Sequence, residues 1–232
     1  GPAAMGGFAW VAALAPRDWQ FLRAVLPVAP AAFGFGVLFR EVSNPFEGGF
    51  SAALVLPHAL GLFVFATCVA LPAGAHPEGV WIYRLAPASA FPRLARGVFA
   101  WVVLVLVVLP HVPLAALALW FWPWADALTA IAFSLAAGGV YAGLCISHVD
   151  CIPFTRLPAP ERSTMIMPTL LAGGVGMGIA VVLETLLFPS HLAVALAALA
   201  LAAAAVWLAR LNVASLAVNM RASLETPTYF KT

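Results

Sequence analysis

Glu184, His58 and His111 are ionisable side chains inside apolar runs of this sequence, where chemistry is easiest to recognise. Glu184 is a carboxylate well within such a run, four residues before Phe188. Charge is costly at membrane depth, so this carboxyl is expected to be protonated, paired or turned to a water-filled cavity; the simpler outcome is snorkelling to the nearby interface. His58 and His111 each adjoin proline, in Pro57-His58 and Pro110-His111-Val112-Pro113. An imidazole pair on neighbouring spans has the donor atoms to ligate a haem or chlorin metal. The simpler reading is a neutral ring bonding a backbone carbonyl that proline leaves without its usual donor. His148, Asp150 and Cys151 form a nominal ligand run, but no second cluster accompanies them, and no metal site is expected. Cys68, Cys145 and Cys151 form no C-x-x-C pair and read as small buried hydrophobes.

Signatures of known catalysis are missing. The sequence contains no G-x-S-x-G, no H-E-x-x-H and no G-x-x-x-x-G-K-[ST]. No residue group supports an enzyme. If ATP drives the protein, the hydrolysing site must lie outside this stretch of chain.

The elements that must carry these residues follow from composition. The 232 residues are 64% hydrophobic and 9% charged, against about 25% charged in soluble domains. This excludes a water-soluble core and predicts an all-α, polytopic transmembrane helical bundle forming a single domain over 1–232. Six runs reach spanning length, approximately 21–39, 50–71, 98–121, 127–147, 165–188 and 192–209. The first is the weakest, with Arg23 near its start and Pro27 and Pro30 inside it. Met5–Ala15 reads as an interfacial or partly buried segment; it has no basic region before it and is not read as a signal peptide.

Charge sets the orientation. On the six-span reading, Arg17, Arg23, Arg84, Arg93, Arg96, Arg156, Arg162, Arg210, Arg221 and Lys231 share one face, and only Arg40 lies on the other. The positive-inside rule makes that face, and both termini, cytoplasmic, as in a bacterial inner membrane. The opposite side carries Trp120-Phe121-Trp122-Pro123-Trp124, an aromatic interfacial anchor, and the tight Pro189-Ser190-His191 connection. Gly173, Gly174, Gly176 and Gly178 are expected to let the fifth span approach a neighbour closely.

Residues 79–97, GVWIYRLAPASAFPRLARG, separate the second and third spans. Trp81, Tyr83, Arg84, Arg93 and Arg96 make this a basic, aromatic segment suited to a membrane surface or a cytoplasmic partner, and Arg156 in the next inner loop is expected to join that contact.

Two stretches carry a resemblance. LPAGAHPEGVWIYRLAP with PRLARGV, and Asp150-Cys151-Ile152-Pro153-Phe154-Thr155-Arg156, resemble the inner loops of uncharacterised bacterial membrane proteins similar to permease subunits of type-2 ATP-binding-cassette (ABC) exporters. The resemblance covers most of Ser51 to Glu184. It implies a six-span permease, a coupling segment at 79–97 docking on an ATPase carried by another chain, and assembly as an oligomer. The spans contain few polar residues, so the substrate would be lipid-like or amphipathic. The alternative is a non-catalytic scaffold or accessory subunit of a larger membrane complex, carrying haem or pigment at His58 and His111 in one version. No cofactor is required by the first reading, and nothing points to nucleic acid.

Overall fold

The computed structural model describes residues 2–28, 43–48, 50–75, 83–156 and 160–225, with side chains described except at 2, 3 and 160–172. Helices α1 (Pro2–Leu14) and α2 (Trp19–Val25) precede α3 (Ala52–Ala70). Next come α4 (Phe91–Trp101) and α5 (Leu109–Phe121), joined by the π-helical segment Val102–Val108. Helices α6 (Trp124–Cys145), α7 (Pro160–Leu187) and α8 (His191–Glu225) complete the bundle. Among the described residues the fold is all-helical, and its β-like pairing is the isolated bridge between Ala73 and Arg156.

Four helical stretches are long and apolar enough to cross a membrane: Ala52–Ala70, Ala88–Phe121, Trp124–His148 and His191–Glu225. They correspond to the runs expected at 50–71, 98–121, 127–147 and 192–209. The run at 165–188 falls within α7, and Gly173–Leu187 is a shorter apolar helix by its described residues. Of the run at 21–39, residues 29–39 lie outside the described residues.

Local chemistry explains the boundaries. Ser51 caps α3 by accepting from Ala53 N–H, and Asp18 caps α2 by accepting from Phe21 N–H at 3.0 Å. Pro110 and Pro113 have no N–H to offer the preceding turn. The chain accommodates this with a π-type step in which Leu109 N–H reaches the Leu104 carbonyl.

Packing depends on small residues at crossings. Helix α6 lies along α8, with Gly139 against Ala205 and Gly143 against Leu208. A Cβ on Gly143 would come within 2.9 Å of the Leu208 Cβ, so these two glycines, one helical turn apart, set the approach. Asn212 fixes the register by donating to the Gly143 carbonyl at 2.7 Å. Helix α1 crosses α4 through Gly7, which faces the Leu94 backbone, and Gly97, which faces the Ala4 carbonyl. Of the glycines expected to do this work in the fifth span, three do not. Gly174, Gly176 and Gly178 face open space, and only Gly173 of that row meets a neighbour, the Leu62 side chain. That face of α7 points outward, with Val175, Ile179 and Val182 exposed beside the glycines.

Two ends of the bundle differ in chemistry. At one, Gly74 N–H donates to the Arg156 carbonyl and Phe154 N–H to the Leu71 carbonyl, tying the loop after α3 to the loop before α7. Phe154 holds a φ of +62°, the left-handed conformation that a bulky residue adopts at a cost. Asp18 accepts from Ala75 N–H at 2.8 Å, bringing the α1–α2 turn to this end. At the opposite end Asp126 accepts from Asn44 Nδ2 at 2.6 Å and from His191 Nε2 at 2.7 Å, and Phe46 stacks on the His191 ring.

Candidate functional site

Two buried polar side chains, His58 and Glu184, meet between α3 and α7. His58, one residue after Pro57 in α3, is 5% exposed, and Glu184 in α7 is 7% exposed. His58 Nε2 lies 2.9 Å from Glu184 Oε1, and His58 Nδ1 lies 2.6 Å from the Tyr141 hydroxyl of α6. The partners select the proton positions. A carboxylate only accepts, so Nε2–H donates to it, and Nδ1 then accepts from the Tyr141 O–H. Gly61 makes this arrangement possible: the Tyr141 ring lies where a Cβ would stand, 2.6 Å from the nearest ring carbons. A side chain there would push the ring away from α3 and its hydroxyl away from His58.

A second polar pair lies along α6. His111 Nδ1 donates to the Val107 carbonyl at 2.7 Å, and Nε2 accepts from Ser134 Oγ–H at 2.7 Å. Gly138 supplies the room, since it faces Val107 Cγ1 and the His111 ring. Ser134 and Tyr141 are seven residues apart on α6, two helical turns on one face. Both ring nitrogens of each histidine are therefore engaged by the protein. Ligating a haem or chlorin metal at either would require breaking one of these bonds.

A small cavity of about 20 Å³ is lined by Glu184 and Ser134 together with Leu54, Pro57, Phe133 and Phe188. Glu184 Oε2 is buried without a hydrogen-bond partner.

The second feature is a groove at the basic end of the bundle, between α4 and α8. It measures about 600 Å³. Phe91, Pro92, Phe99, Val213, Ala217 and Val218 give it apolar walls, and Arg96, Arg210 and Arg221 line it as cations. Helix α4 is strongly amphipathic, burying Phe91, Ala95 and Val98 while leaving Arg93 and Arg96 exposed. Arg221 also reaches Glu225 at 3.5 Å, an exposed pair one turn along α8.

The basic segment expected at 79–97 divides between two structures. Trp81 lies outside the described residues. Tyr83 packs edge-on against Trp10 of α1 with centroids 5.3 Å apart, and burial holds its phenol above the ordinary tyrosine range. Arg84 is exposed. From Phe91 onward the segment is already helix α4, because Pro92 in the first turn and the apolar face through Val98 favour continuous helix. Arg156 is held by Asp150 at 2.7 Å, and its backbone joins the bridge to Ala73. Arg93 and Arg96 thus share a helix, while Arg156 belongs to a different loop.

The free cysteines Cys68, Cys145 and Cys151 are buried. His148 meets the Phe65 ring edge-on at 5.1 Å. Among the described residues no group of three His, Cys, Asp or Glu side chains is placed to hold a metal ion.

Sequence reasoning did not single out Tyr141, or Arg210 and Arg221 as partners of Arg96. Tyr141 is the lone tyrosine in its apolar run, and the two arginines follow the last span at helical spacing. Neither signal names the partner across the bundle. No protein family, curated protein or solved structure that was compared matches the chain.

Proposed function

We propose that this chain is a permease-like membrane subunit of a transport complex of the ABC-exporter type, and that it handles an anionic lipid-like or amphipathic substrate. On this reading it sits in a bacterial cytoplasmic membrane with about six spans and both termini inside. ATP is hydrolysed on another polypeptide, and this chain carries no catalysis of its own. The observation that carries the proposal is the α4–α8 groove, where apolar walls meet Arg96, Arg210 and Arg221. Guanidinium groups bind phosphate and carboxylate oxygens in bidentate fashion, and the apolar walls suit acyl chains. Four helices long and apolar enough to cross a membrane support a groove that meets lipid. Coupling would act through the exposed Arg84, which precedes the groove-forming helix, and Arg93 on that helix, leaving Arg96 free for the substrate.

The test is purification of the tagged chain from native membranes in mild detergent. The expected result is a co-purifying ATPase subunit whose hydrolysis rises with anionic phospholipid and not with a zwitterionic one. Repeated recovery of the chain without any ATPase would overturn the transport reading in favour of a scaffold subunit.

A further inference from the structure

We propose that the α4–α8 groove selects a lipid whose headgroup carries a second phosphate, farther from the bilayer than the first. The proposal rests on the reading of this groove as an anionic-lipid site and names the class of lipid it takes.

Helix lengths give the depth of the groove. Helix α6 has 22 residues, about 33 Å, close to the roughly 30 Å of a hydrocarbon core. Ala88–Phe121 has 34 residues and α8 has 35, about 50 Å each. Side-chain contacts align these helices. Gly143 of α6 meets Leu208 of α8, while Gly138 meets Val107 and Ser134 meets His111 in the antiparallel sense. Continuing both registers sets the end of α6, at Cys145, level with Arg210 and Trp101. The groove starts at that level, with Phe99 and Ala209, and runs away from the hydrocarbon to Ala88 and Arg221. Arg221 follows Arg210 by eleven residues, about 16 Å of helix. The headgroup layer on each side of a bilayer is only about 5–7 Å thick. An ordinary phosphate headgroup therefore reaches Arg210 and falls short of Arg221.

The three cations divide into two stations. Arg96 Nε donates to the Pro92 carbonyl at 3.2 Å, which draws its guanidinium one turn away from the bilayer, toward the level of Arg221. Helical side chains lean toward their own N-terminus, and on the antiparallel α8 that direction takes Arg221 toward Arg96. Arg210 leans the other way, toward the hydrocarbon edge. One phosphate meets Arg210 there, and a second, farther out, meets Arg96 and Arg221 together. Arg221 also pairs with Glu225 at 3.5 Å. An exposed pair of that kind is weak, and a phosphate that accepts two parallel N–H bonds competes well with it. Pro92 and Val218 wall the outer station, and low-dielectric walls around charges of one sign concentrate their field on an anion.

Phosphatidylinositol 4-phosphate and phosphatidylinositol share the inner phosphate and differ by a second one across the inositol ring. The whole protein is given equal doses of the two in detergent, and lipid retention is read by native mass spectrometry. The expected result is a preference of about fivefold for the bisphosphorylated lipid, the factor that roughly 1 kcal/mol per arginine supplies. Arg221→Gln should bring that ratio near one, whereas Arg210→Gln should lower retention of both lipids in proportion. Glu225→Gln, which frees Arg221 from its neighbour, should raise the ratio. Arg210, Arg221 and Glu225 are all exposed, and an unchanged unfolding temperature confirms that each variant is folded. Equal retention of the two lipids by the native protein, or a loss in Arg221→Gln shared equally by both, would overturn the proposal and leave a single-phosphate site. Retention of neither lipid above phosphatidylcholine would overturn the lipid-site reading beneath it as well.

Discussion

The two polar regions of this molecule are built on opposite principles. Around His58, three helices enclose a few groups bonded to one another, with Glu184 Oε2 left over, and the free space is water-sized. Between α4 and α8, cations stand at an open apolar groove some thirty times larger, from volumes of about 600 and about 20 Å³. A buried charge without its partner is severely penalised, so the first region depends on exact mutual placement. Exposed arginines are stabilised by solvent whatever they face, so the second can vary its occupant. The first has the character of a fixed internal device and the second that of a binding surface.

The largest expected effect comes from breaking the enclosed region. His58→Ala removes the donor that Glu184 Oε1 has in the native protein and should destabilise the protein by about 1–3 kcal/mol, read as thermal unfolding in detergent. His58→Gln, which can still donate, should recover part of that loss. A His58→Ala protein as stable as the native one would mean that the cluster is not shut off from water.

Packing around the glycines gives a comparable effect. Gly61→Val should displace the Tyr141 ring, and Gly143→Val should force α6 from α8, each at about 1–3 kcal/mol. Gly176→Val, facing open space, should cost little in the isolated chain. If Gly176→Val is the most harmful of the three, the outward face of α7 is a buried contact in the assembled protein.

The smallest effects on stability belong to the groove. Arg96→Gln, Arg210→Gln and Arg221→Gln should leave the unfolding temperature nearly unchanged. Each should weaken binding of anionic lipid by roughly 1 kcal/mol, measured by lipid retention in native mass spectrometry. Raising salt should weaken that binding and leave the His58 cluster untouched, because exposed charges are screened and enclosed ones are not.

Much of the fold was legible in the sequence, for a physical reason. Long apolar runs must be helical in lipid because every backbone group needs an internal partner, so 50–71, 98–121, 127–147 and 192–209 are matched by long apolar helices. Glu184, His58 and His111 stood out by the cost of burying them. Their partners did not, because a pairing between α3 and α7 depends on helix rotation and crossing, which no local spacing encodes. The glycines show the same limit. Gly173 to Gly178 made the denser pattern, yet Gly139 and Gly143 form the close crossing because α8 lies on that face of α6. Arg96, Arg210 and Arg221 were readable as a basic side, but the groove needs the antiparallel course of α4 and α8 to bring them together.

The most direct measurement is movement of a headgroup-labelled anionic phospholipid between leaflets of proteoliposomes carrying the complex from native membranes. The account predicts ATP-dependent movement that is lost when Arg96, Arg210 and Arg221 are all replaced by glutamine. Movement absent in the native complex, or equal in the triple variant, would contradict it.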